Sequence, residues 1–238
     1  MALSSNDETG FRACTGLIRE TAEAFSVTDP VTDSNCYLLK NEDACVLIDP
    51  NCFPKLLPIL QEWNPASVLV LLTHEHCDHI SALNALREQF HTITVSSRSC
   101  SLGIQNTRLN MSRLMETFLY YKNGETGITP YAPFCCEPAD LCFDGEICLP
   151  FGGETLEIKA LPGHTPGSSV ICLGGGIFSG DYLLPGEQVL TRLPGGSQET
   201  YEVCARPWLR LIPDGTWIYP GHGREFQMCG KVREFHGL

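Results

Sequence analysis

The sequence predicts a layered α/β domain, and three observations carry that expectation. Short β-branched runs alternate along the chain with segments of helical period. One run, residues 67–73, is apolar almost throughout, as suits a strand buried on both faces. A strand ending in Asp, then a helix, then a strand ending near His also occurs twice, from Asp49 to His74 and from Asp181 to His222. Two similar halves could therefore face each other across one cleft, although the unequal connecting lengths do not by themselves establish a repeat.

The elements follow in order. Residues 36–40 and 44–49 form two apolar runs around the polar Asn41-Glu42-Asp43, which predicts a hairpin. Residues 54–63 have helical period and end before Pro65. After the strand at 67–73 come a helix at 80–89 and a strand at 92–96. Three further strands are expected at 154–161, 169–173 and 176–179, then a helix at 199–211 that Pro207 kinks or splits, and a last strand at 216–219. Residues 97–145 break this rhythm. Leu109, Met111, Leu114, Met115, Phe118 and Leu119 repeat with helical spacing, and a Gly/Pro/Cys-rich stretch follows at 124–138. We expect one domain over residues 1–238, with 97–145 as a helical and loop-rich insertion forming a flap over the site. Phe118, Tyr120, Tyr121, Tyr131 and Phe134 would give that flap an apolar wall.

Composition narrows the function. The 238 residues carry 28 acidic against 16 basic side chains, a formal charge of −12. That balance argues against nucleic acid, whose affinity rests on phosphate neutralisation. The longest apolar run, residues 68–72, is far short of the roughly 20 residues that span a membrane. The polar, acidic residues 1–10 do not read as a signal peptide. Thirteen cysteines form an odd set without any CxxC, and Cys45, Cys148 and Cys172 sit in apolar runs. Free thiols in a reducing cytoplasm are expected. Cys135, Cys136 and Cys142 lack the spacing of a zinc ribbon.

The chemistry concentrates in histidine. Three of the seven crowd into His74-Glu75-His76-Cys77-Asp78-His79, directly after the apolar strand. His74 and His76 are two apart and face the same way in extended backbone. Asp78 and His79 fall at the turn into the next helix and could serve a neighbouring ion. His164 lies in Pro162-Gly163-His164-Thr165-Pro166-Gly167, His222 in Pro220-Gly221-His222-Gly223, and Asp181 follows Ser179-Gly180. Each stands at the end of an expected strand. Five imidazoles and two carboxylates exceed what one tetrahedral ion uses, and suit two ions sharing a bridging carboxylate. Zinc, iron and manganese all accept such donors. His91 and His236 read as ordinary surface or core residues, and Cys77 as a packing residue.

The series His74-x-His76-x-Asp78-His79, then His164, Asp181 and His222, resembles the metallo-β-lactamase-fold hydrolases, in particular the glyoxalase II-like branch, over about residues 36–223. The resemblance implies an αββα four-layer sandwich of two similar halves. It implies that His74, His76 and His164 hold a first metal, that Asp78, His79 and His222 hold a second, and that Asp181 bridges them. Asp49 would stand behind these residues and hold a ligand loop in place. His79 occupies the position where one zinc β-lactamase subclass has Arg, so both sites are complete. The chain ends soon after His222, without the helical C-terminal part with which glyoxalase II proper holds glutathione, and no RNA-gripping arm is evident.

The expected function is hydrolysis of a small-molecule thioester, lactone or ester by water activated on two divalent metals, zinc first, with iron or manganese as alternatives. Asp78 would orient that water and take up its proton, and Tyr182 would contact substrate. Two other readings stay open: a persulfide-dioxygenase-like oxidoreductase using one iron, and a phosphodiesterase. No membrane or nucleic-acid partner is expected, and oligomeric state is not legible.

Overall fold

The computed structural model describes residues 11–14, 16, 23–42 and 44–238. The N-terminal ten residues and Asp43 of the expected hairpin turn lie outside the described residues. The expected hairpin appears as β3 (Asn35–Lys40) paired antiparallel with β4 (Cys45–Ile48). Helix α1 (Phe53–Trp63) leads to β5 (Val68–Leu71), which lies parallel to β4. Then come α2 (Cys77–Ile80), α3 (Leu83–Gln89), β6 (Thr92–Ser97) and α4 (Arg98–Ile104). Strands β1 (Phe11–Ala13) and β2 (Glu23–Thr28) extend one side of this sheet, and β7 (Leu141–Phe143) closes the other, in the order β1-β2-β3-β4-β5-β6-β7.

The second sheet holds β8 (Glu146–Phe151), β9 (Glu154–Ala160), β10 (Ser169–Leu173), β11 (Gly176–Gly180), β12 (Trp217–Pro220) and β13 (Phe226–Gln227), in the order β13-β12-β11-β10-β9-β8. Within it β11 and β12 are parallel. The two parallel pairs, β4 with β5 and β11 with β12, are the structural form of the Asp-to-His echo in the sequence.

Strand alternation explains the layering. Along β4, Val46 and Ile48 point to one face and Cys45 and Leu47 to the other, and all four are buried. Val46 and Ile48 join Tyr37, Leu39, Leu71 and Val95 against Leu156, Ile158, Ile171 and Phe178 of the second sheet. Leu47, Leu38 and Val70 face Leu56 and Leu60 of α1, Leu83 and Leu86 of α3, and Ile104 of α4. The far face of the second sheet, with Val170, Ile177 and Ile218, packs on Tyr201, Ala205 and Leu209. The result is helices, sheet, sheet, helices: the αββα order.

Three expected helices differ for local reasons, and β1, β2, β7, β8, β13 and α4 had no counterpart in the sequence reading. The helix expected at 80–89 is split, because the Asp78 carbonyl accepts Ser34 Oγ at 2.7 Å and the Ala82 amide donates to Pro50 instead. The helix expected at 109–121 is only α5 (Met115–Lys122). Asn106 Oδ1 accepts from the Arg108 and Leu109 amides, and Asn110 Oδ1 from Ser112, so side chains hold residues 106–112 in turns. The helix expected at 199–211 runs as α6 (Gln198–Thr200), a π-helical turn (Tyr201–Ala205) and α7 (Arg206–Leu209). Pro207 falls in the first turn of α7, where its missing N–H costs nothing. Helix α8 (Gly230–His236) had no counterpart in the sequence reading. The stretch 97–145 leaves through α4 and returns through β7, which pairs parallel with β6. Among the described residues no helix is long and apolar enough to cross a membrane.

Phe178 is 1% exposed between the two sheets, with the Tyr37 and Tyr219 rings each 5.0 Å away by centroid. Phe178→Ala is expected to lower unfolding free energy by about 3–5 kcal/mol in urea denaturation, through the lost burial and the cavity left behind.

Candidate functional site

The site forms where strand ends of both sheets meet. The segment after β5 carries His74 and His76, and α2 carries Asp78 and His79. The turn between β9 and β10 carries His164, Asp181 follows β11, and His222 follows β12. These seven residues, from four separate segments of the chain, converge on one cluster, and His76, Asp78, His164, Asp181 and His222 line a cleft.

The first cluster is a set of imidazoles. His76 Nδ1 lies 3.1 Å from His74 Nε2 and 3.2 Å from His164 Nε2. The surrounding chain determines which nitrogens are bare. Thr73 Oγ1 donates to Asp49 Oδ2, so it accepts from His74 Nδ1 at 3.0 Å and leaves His74 Nε2 without a proton. His164 Nδ1 donates to the Leu190 carbonyl at 2.6 Å, which bares His164 Nε2 in the same way. Burial disfavours the charged form of all three rings and pushes His76 down to about 3.

The second cluster mixes acid and base. Asp78 Oδ2 lies 3.3 Å from His222 Nε2 and 3.8 Å from His79 Nε2. Asp181 lies between the clusters, with Oδ2 3.6 Å from His164 Nε2, 4.0 Å from His74 Nε2 and 3.7 Å from His222 Nε2. Its Oδ1 is 3.5 Å from His79 Nε2. Burial works against charge on His79 and His222, but Asp78 and Asp181 outweigh it and raise both. In turn, burial would raise the two carboxyls, yet His79 and His222 hold them below the usual carboxylate range.

These groups fit divalent metal. A tetrahedral cation with metal–nitrogen distances of about 2 Å spaces its donors about 3.3 Å apart, close to the separations of the three imidazole nitrogens. His79 Nε2 and Asp181 Oδ1 are buried and have no hydrogen-bond partner, as donors reserved for an ion would be. Two sets of donors within reach of a common ion are His74, His76, His164 and Asp181, and Asp78, His79 and His222. Asp49, His74 and His79 also come close. The Asp49 carboxylate, however, is already engaged by the Thr73 amide at 2.7 Å, by Thr73 Oγ1 and by His79 Nδ1 at 3.0 Å. Asp49 therefore fixes the His79 tautomer and anchors the β5 exit from behind.

Several supporting residues carried no signal in the sequence. Asn35 Nδ2 donates to the carbonyls of Pro220 and Gly223, on either side of His222. Ser34 Oγ donates to the Asp78 carbonyl, and Asn51 Nδ2 to the Ser34 carbonyl. Glu75 is only 1% exposed. Its Oε2 accepts Thr165 Oγ1 at 2.8 Å, which ties the His74–His76 segment to the His164 turn. Burial pushes its carboxyl up to about 7, with hydrogen bonds from Thr165 and backbone amides opposing. Gly221 is required by space, since a Cβ there would sit 2.2 Å from Asp181 Oδ1 and 2.8 Å from His79 Cε1. Its glycine character was visible in the sequence, but the Asp181 contact was not.

Tyr182 requires a correction. It was expected to face the cleft, but its ring is 1% exposed and absent from the cleft lining. Its hydroxyl donates to the Leu161 carbonyl and accepts the His164 amide at 3.3 Å, so it braces the His164 turn from within the core. Cys77 is buried with Met111, Met115 and Leu119, and burial pushes its thiol up.

Comparison with known proteins follows this geometry. Residues 29–222 match the metallo-beta-lactamase superfamily. The chain is 31% identical over 195 residues to the probable metallo-hydrolase YqgX of Bacillus subtilis (strain 168), covering 81% of this chain and 86% of that protein. It is 30% identical over 202 residues to the hydroxyacylglutathione hydrolase GloC of Haemophilus influenzae, covering 82% and 88%. Among solved structures, that of TTHA1623 in a di-iron-bound form is similar, with a TM-score of 0.65 and 27% identity over 88% of this chain and 96% of that one. By its fold and by this match, the chain belongs to the metallo-beta-lactamase superfamily.

Proposed function

We propose that this protein is a dinuclear metal-dependent hydrolase that cleaves a small thioester, lactone or ester. The observation that carries the reading is Asp181. Its carboxylate lies within 3.5–4.0 Å of imidazole nitrogens from both clusters, where a bridging ligand must be. His74, His76 and His164 would hold one ion, and Asp78, His79 and His222 would hold the other. Zinc is the leading ion, and iron or manganese would meet the same donors.

Two bound divalent cations supply Lewis-acid polarisation of the scissile carbonyl and a water acidic enough to ionise near neutral pH. Asp78 lines the cleft, where its carboxylate would orient that water and take up its proton. Asp49, Thr73 and the Leu190 carbonyl keep His79, His74 and His164 in the tautomers that point bare nitrogens inward. We read the chain as one domain in which part of residues 97–145 covers the cleft, supported by Met111, Met115 and Phe118 in its lining. A reducing compartment such as the cytoplasm agrees with thirteen free thiols.

Metal analysis of protein prepared without added metal should find two ions per chain, and chelation should remove turnover. One iron per chain with oxygen consumption would overturn the hydrolase reading. His76→Ala should abolish turnover while circular dichroism stays unchanged; wild-type activity in that variant would sink the ligand assignment. Asn at position 49 tolerates the φ of 54° there but takes away a carboxylate oxygen. Asp49→Asn is therefore expected to weaken metal binding about 10–100-fold in chelator competition.

A further inference from the structure

The cleft over the candidate metal centre has a volume of about 330 Å³ and two unlike parts. Its floor is the donor cluster, with His76, Asp78, His164, Asp181 and His222. Its wall is apolar, with Met111, Met115, Phe118, Leu184, Leu190 and Leu193. Met111, Met115, Phe118 and Leu193 belong to one packed cluster, so that wall is built rather than incidental. Methionine side chains adapt to chains of different length and shape.

The charges at the rim point the same way. Among the described residues, the only Lys or Arg in the lining is Lys122, and two acids, Asp33 and Glu187, line the cleft as well. Lys122 Nζ is already engaged, 3.5 Å from Asp33 Oδ2 and donating to the Thr32 carbonyl at 3.0 Å. Above the donor floor, a carboxylate-bearing leaving group would meet two acids and no unpaired Lys or Arg. A guanidinium, the usual partner for carboxylates, is absent from the described lining.

We propose that the cleft selects neutral substrates with an apolar acyl chain, and that it discriminates against thioesters of anionic thiols such as glutathione. This rests on the hydrolase reading above and narrows its substrate. The scissile carbonyl lies over the donor floor and the acyl chain lies against the apolar wall. Water adds to the carbonyl carbon, the bond to the leaving oxygen or sulfur breaks, and the leaving group departs with a proton. The products are a carboxylic acid and an alcohol or thiol.

The test uses the metal-loaded full chain and pairs substrates that differ in one property. The hexanoyl thioesters of glutathione and of its glycyl monoethyl ester share an acyl group and a tripeptide frame, and differ by one carboxylate, net −1 against net neutral. The p-nitrophenyl acetate, butyrate and hexanoate series varies chain length alone. We expect kcat/KM to favour the neutral thioester by at least about tenfold. Along the ester series it should rise by roughly fourfold per methylene, equivalent to about 0.8 kcal/mol. Phe118→Gln should flatten the chain-length series, and Glu187→Lys should raise turnover of the glutathione thioester. Equal or faster turnover of the glutathione thioester, or a flat chain-length series in the wild type, would overturn this proposal and leave the hydrolase reading standing. No turnover of any ester or thioester by protein holding two metals per chain would overturn both.

Discussion

Seven nitrogen and oxygen donors are gathered in a largely buried cluster where His79 Nε2 and Asp181 Oδ1 are left without hydrogen-bond partners, and the rest of the structure is arranged around that constraint. His74 and His164 present bare nitrogens to His76 Nδ1, at 3.1 and 3.2 Å. Two carboxylates draw His79 and His222 towards protonation. In a low-dielectric interior such a set is costly unless positive charge enters it. The fold holds it together by rooting each donor in a strand end, where a sheet fixes the backbone, and by taking up the outward-facing ring nitrogens of His74, His79 and His164 with Thr73, Asp49 and Leu190.

Much of this was legible in the sequence, for identifiable reasons. Imidazoles at 74, 76 and 79 are rare neighbours, and the apolar strand before them reports burial on both faces. β4 and β5 were found because their apolar runs are continuous. β8 was not, because its residues alternate exposure and include Pro150, which fits an edge strand better than a central one. The two-part helix around residue 81 was hidden because a hydroxyl 44 residues away, on Ser34, takes the Asp78 carbonyl. Tyr182 was misread for the same kind of reason. A tyrosine next to a ligand looks like a cleft residue in one dimension, while the turn after β11 directs it inward to Leu161.

Asn35, Ser34 and Asn51 carry a second lesson. None resembles a catalytic residue, yet together they join the start of β3 to the segments that bear Asp78 and His222. Ser34 also forms an isolated bridge with His222. Polar residues at the start of a strand are ordinary in a sequence. Their role depends on which distant loops come within hydrogen-bond reach, and only three-dimensional pairing supplies that information.

The Leu190 carbonyl orients His164, while its side chain, 44% exposed, lines the mouth of the cleft. Backbone and side chain at this one residue thus serve different masters. Every amino acid has the same carbonyl, so replacing Leu190 would reshape the opening while His164 keeps its anchor. Mutation at this position could diversify what the cleft admits without first dismantling the donor set beneath it.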